Sequence, residues 1–176
     1  GYCDTFQQIY GDELKCDVDF LLLIENKMTR DEIERKISQA DLIYVGGGHT
    51  GNMLALWREY QVDRMLLEVY NNGTVLSGIS AGSICWFEHG HSEVPIPGSN
   101  DEYEYIKLDA LGMLKGFHCP HFNEYSRPIS FPEMIQGTDD SFFPLHSKVD
   151  GCLHFGSHTT VCKLSLIHIL FRFQNG

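Results

Sequence analysis

Gly78-Ile79-Ser80-Ala81-Gly82 spells G-x-S-x-G directly after the strand-like run Thr74 to Gly78 and directly before the apolar stretch Ile84 to Phe87. A serine hydroxyl becomes a useful nucleophile when it is held at the tip of a tight strand-to-helix corner, and flanking glycines relieve the crowding such a corner creates. The N–H of Ala81, next after the serine, is placed to donate to a developing oxyanion, and a helix starting there adds further N–H groups. An ordinary turn serine capping a helix is the competing reading. The strand before and the apolar run after favour the nucleophile.

A second donor is expected from Gly46-Gly47-Gly48, which closes the apolar strand Asp41 to Val45. Backbone without Cβ atoms can approach a substrate closely and aim an N–H at it. A phosphate loop would need a lysine where His49-Thr50 stands. Among the 9 histidines, His121 is the expected base, because it closes the strand-like segment Phe117 to Phe122 downstream of Ser80. His118 should point to the opposite face of that strand. A zinc site built from His118, Cys119 and His121 would need more ligands than the segment offers, so no metal and no cofactor are expected.

These groups need a scaffold. Tyr2 to Leu14 reads as a helix, with Phe6, Tyr10 and Leu14 spaced along one face. Val18 to Ile24 reads as a strand buried on both faces. Thr29 and Glu32 form a capping-box pattern that opens a helix carrying Ile33 and Ile37. Asn52 to Tyr70 is helical in two pieces and stops at Asn72-Gly73. His89 to Asn100 reads as a polar loop, with His89 and His91 as surface residues. Tyr103 to Leu108 and Phe117 to Phe122 read as further strands, and Phe131 to Gln136 as a short helix. Strands alternating with helices predict an α/β domain. That domain is expected over 1–162, with 163–176 as a tail of uncertain origin.

The 176 residues suffice for one core, and 43% hydrophobic with 21% charged residues is ordinary for a globular domain. A net charge of -11 excludes a nucleic-acid partner and disfavours an anionic membrane surface. No apolar run approaches the ~20 residues that span a bilayer. The 6 cysteines lack metal-type spacing, and no export signal is visible, so reduced thiols and a cytoplasmic location are expected. A monomer or homodimer is expected.

Three blocks resemble the dipeptidase E and cyanophycinase family of serine peptidases: Ala40 to Thr50, Leu76 to Glu88, and Gly116 to Asn123. The similarity extends roughly from Gly1 to Gln136, with His49 where the family usually has asparagine. It implies a flavodoxin-like, doubly wound, mostly parallel sheet with helices on both faces, related to class I glutamine amidotransferases. It also implies that an N-terminal strand is missing here. Ser80 would be the nucleophile, His121 the base, and Gly47, Gly48 and Ala81 the oxyanion hole. For the acid, Glu93 looks like the family's acidic position after the elbow, and Asp150 like a second one downstream of the histidine. The implied substrate is a short peptide with an N-terminal aspartate. Arg127 is the residue expected to hold that carboxylate, since a guanidinium fork suits it. Two other readings stand beside this one. An esterase-like hydrolase would take its base from His154, His158 or His168, and an inactive homologue would be a binding module.

Overall fold

The computed structural model describes residues 2–24, 28–99, 102–139, 141–144, 153–155 and 168–172. The N-terminal helix α1 (Tyr2–Phe6) continues as a π-helical segment (Gln7–Glu13). It leads into strand β1 (Asp17–Leu21). The capping box forms as its residue types require: Thr29 Oγ1 accepts from the Glu32 N–H, and the Glu32 carboxylate accepts from the Thr29 N–H at 2.7 Å. Helix α2 (Arg30–Ser38) therefore starts there and buries Ile33 and Ile37.

Strand β2 (Leu42–Val45) shows how the first sheet is covered. Ile43 and Val45 join the main core with Leu54, Trp57, Leu66 and Leu76, whereas Tyr44 packs with Phe6 and Ile79 on the opposite face. A strand's alternation sends successive side chains to opposite faces, so helices cover this sheet on both. Helix α3 (Thr50–Tyr60) and helix α4 (Val62–Asn71) are separated at Gln61, whose φ of 58° breaks the helical path. Trp57 is fully buried and meets Trp86 at 6.1 Å between ring centroids. Burying such a side chain contributes about 1.5–3 kcal/mol.

Strand β3 (Val75–Gly78) pairs parallel with β2, and α5 (Ala81–Ile84) follows Ser80. Next come β4 (Phe87–Pro95), β5 (Tyr103–Asp109), β6 (Leu114–Cys119), α6 (Arg127–Ile135), β7 (Phe142–Pro144), β8 (Leu153–Phe155) and β9 (His168–Arg172). Two sheets result, ordered β1-β9-β2-β3-β8 and β5-β4-β6-β7.

Two expectations are corrected. The sheets are mixed rather than mostly parallel. β9 runs antiparallel to both β1 and β2, β8 antiparallel to β3, and β4–β5 is an antiparallel pair, while β2–β3, β4–β6 and β6–β7 are parallel. The segment read as a polar loop from His89 is strand β4, and His91 within it is buried. The burial of His91 is made possible by hydrogen-bond partners that an apolar-periodicity reading does not see. The helix after the elbow is a single turn, because the chain is captured by β-type pairing from Leu111 N to Cys85 O and from Leu114 N to Trp86 O. Strand β9 pairs through its backbone on both edges inside the first sheet.

Candidate active site

Ser80 stands between the end of β3 and the start of α5 with φ 54° and ψ −119°, a conformation that side-chain-bearing residues rarely adopt. Such a residue costs about 1–3 kcal/mol and persists only where its surroundings over-determine it. The surroundings are visible here. A Cβ on Gly82 would collide with the Val45 carbonyl, and one on Gly78 with the Gly82 carbonyl. The two motif glycines thus let α5 pack directly onto the ends of β2 and β3. The Ser80 carbonyl accepts from Ser83 N at 2.9 Å, Ile84 N at 3.0 Å and Ser83 Oγ at 2.7 Å.

Gly47 lies across from the serine: a Cβ there would sit 3.1 Å from Ser80 Cβ and 3.6 Å from Ser80 Oγ. The turn is completed by Gly48 at φ 138°. Ala81 is the first residue of α5, so its N–H belongs to the first turn, where a helix offers no acceptor of its own. His49, the departure from the family's usual asparagine, caps α3 by accepting from Asn52 N on Nδ1 at 3.1 Å.

His121 sits just past β6 rather than on it, in a turn where both His121 (φ 53°) and Tyr125 (φ 51°) are left-handed. Its Nδ1 lies 3.8 Å from the carboxylate of Glu124. Among the described residues no hydrogen bond joins His121 to Ser80 Oγ. Such contacts often tighten only with substrate bound. Glu124 was not singled out from sequence as a neighbour of His121, although its position three residues after the histidine was the available signal.

Glu93 and Arg127 are brought together, with each other. The Arg127 guanidinium forms an ion pair with Glu93, donates to the His91 carbonyl at 3.2 Å and to His91 Nδ1 at 3.0 Å, and lies over the Tyr105 ring at 4.9 Å. Arg127 is only 6% exposed. Because Nδ1 of His91 accepts, its Nε2 carries the proton and donates to Ser130 Oγ at 3.0 Å. Burial, with the neighbouring Arg127 charge, lowers the His91 pKa to about 4. Asp150, the other expected acid, lies outside the described residues.

The residues once weighed as zinc ligands point to separate partners. His118 Nε2 meets Ser83 Oγ at 2.9 Å, Cys119 Sγ faces the Pro120 carbonyl at 3.6 Å, and His121 faces Glu124. Among the described residues no group of three or more His, Cys, Asp and Glu side chains is arranged to hold a metal. Burial raises the Cys119 thiol to about 11 and pushes that of Cys85 well above its usual value, so neither supplies a thiolate nucleophile.

The family model for peptidase family S51 matches residues 1–153. The chain belongs to peptidase family S51. This bears out the resemblance to the dipeptidase E family. The family S51 chain is also 42% identical over 100 residues to the uncharacterized peptidase YgaJ of Bacillus subtilis (strain 168). That alignment covers 56% of this chain and 40% of the relative, so less than half of the relative's length is represented. Among the described residues no helix is long and apolar enough to cross a membrane.

Proposed function

We propose that this chain is a serine-nucleophile peptidase acting on short peptides, with an N-terminal aspartate preferred. The observation that carries the reading is the left-handed backbone of Ser80, held at a strand-to-helix corner opposite Gly47. A strained serine at such a corner is a costly arrangement that favours a functional role.

In this reading Ser80 Oγ attacks the scissile carbonyl carbon and His121 takes the hydroxyl proton. The N–H groups of Ala81 and of the Gly47-Gly48 turn hold the oxyanion. His121 then passes the proton to the departing amine, and water releases the acyl group by the reverse proton path. The acid's task is to fix the imidazole tautomer and stabilise its cation. Glu124 is the carboxylate nearest to His121 among those described, which supports it over Glu93, whose charge is engaged by Arg127. Asp150 remains the alternative acid. For the substrate's aspartate, Arg127 is the proposed cation, although its guanidinium is already engaged by Glu93 and His91, so binding there requires the substrate carboxylate to compete with Glu93.

Ser80→Ala should lower kcat/KM by about 10⁴-fold or more with circular dichroism unchanged. Hydrolysis at the parental rate in that variant would overturn the reading. A well-folded parent whose Ser80 does not react with a fluorophosphonate would instead identify an inactive homologue.

A further inference from the structure

Behind the elbow lies a second serine and histidine that the proposed chemistry leaves unused. Ser83 and His118 are 1% and 0% exposed, so no substrate reaches them and neither is a second nucleophile or base. Ser83 donates its single hydroxyl proton to the Ser80 carbonyl at 2.7 Å. With that proton spent, the 2.9 Å contact to His118 is donated by the imidazole, which places the proton on Nε2. His118 is itself fixed by stacking on Phe87 at 4.7 Å between centroids.

This bond joins the helix of the elbow to a strand of the second sheet. Ser83 is on α5, one helical turn beyond Ser80. His118 is on β6, three positions before His121. The parallel offsets mean that the buried pair sets how far the elbow stands from the strand carrying the base. We propose that Ser83 and His118 form a positioning dyad that fixes the separation and orientation of Ser80 relative to His121. The dyad rests on the reading of Ser80 as nucleophile and His121 as base. It touches the Ser80 carbonyl and acts on the reaction only through that residue.

The test compares Ser83→Ala, His118→Leu and His118→Gln in the rate of fluorophosphonate labelling and in kcat and KM on a short peptide. Misplacing a reacting group by about 1 Å can cost up to about 10²-fold, so Ser83→Ala and His118→Leu should each lower kcat and labelling by about 10- to 100-fold. KM should stay within about 3-fold, since differential binding of the reacting centre is what is lost. Glutamine, whose amide nitrogen reaches the place of imidazole Nε2, should restore most of the rate. Labelling of His118→Leu at the parental rate overturns the dyad while leaving the nucleophile assignment intact. So does a folded His118→Gln as slow as the leucine variant. Absence of Ser80 labelling in the parent overturns both proposals. Should leucine prevent folding, Ser83→Ala, which removes only a hydroxyl, carries the same comparison. Nitrogen-15 NMR of the parent reads the bond without activity: a proton on Nε2 of His118 is expected, and an Nδ1–H tautomer refutes it.

Discussion

The corner that carries Ser80 and the turn that carries His121 are held in place by different kinds of atoms. Mostly backbone holds the first: missing Cβ atoms at Gly78 and Gly82 let α5 rest on the Val45 carbonyl, and two backbone N–H groups converge on the Ser80 carbonyl beside the Ser83 hydroxyl. Side chains hold the second. The turn from Pro120 to Ser126 is anchored where α6 begins, by Arg127 reaching across to His91 and Glu93 on β4. A backbone-held site fails when any atom is added, whereas a side-chain-held site fails when a charge or a proton is moved.

That contrast orders the expected effects. Gly82→Ala should be the most damaging, because the new methyl meets a carbonyl that belongs to the sheet and cannot swing aside. A loss of about 4 kcal/mol by denaturant unfolding, with activity gone, is expected. A stable, active variant would break the distinction outright.

The histidine-side cluster should respond instead to pH. His91 faces Arg127, Ser130, Tyr105 and Phe131, and its pKa falls from 6.5 to about 4. The unfolded chain therefore binds a proton before the folded one does. Stability from this group is complete above about pH 6.5 and declines as pH falls toward 4, by about 3 kcal/mol in total. Melting curves from pH 7.5 to 4 should show this decline, and His91→Gln should flatten it. An unchanged slope in that variant would assign the pH dependence elsewhere.

Arg127→Met should cost about 2 kcal/mol, below the full value for a buried pair because Glu93 remains partly exposed. In the same variant, KM for an N-terminal aspartyl peptide should rise more than KM for a neutral peptide. Equal changes would leave Arg127 as an anchor alone. Thr29→Ala, far from both regions, should cost only about 1 kcal/mol through loss of the α2 cap, with kcat/KM unchanged. An activity loss there would show that the comparison between the two regions is drawn too locally.

The strand-to-helix corner at Ser80 was legible because its demands are steric, and steric demands select residue types that can be recognised in order: small, serine, small. The capping box at Thr29, the division of the Asn52 to Tyr70 stretch into two helices, and the apolar strand ending at Val45 were legible for the same reason, each set by neighbours within a few positions. Strand β4 was not legible, since its buried positions His91 and Ser92 carry no apolar period. What makes His91 acceptable inside is a guanidinium and a hydroxyl from more than thirty residues away.

The sequence by itself determined the local chemistry of this protein: a kinked serine, a glycine turn, two apolar strands and the caps of their helices. Only the tertiary structure decided the partners. It put Arg127 on Glu93, set Glu124 beside His121, tied Ser83 to His118, and threaded β9 antiparallel between β1 and β2. The physical reason is range. Glycine contacts and helix caps are decided by adjacent residues, while charge pairs, imidazole tautomers and strand order depend on which distant segments come to lie side by side.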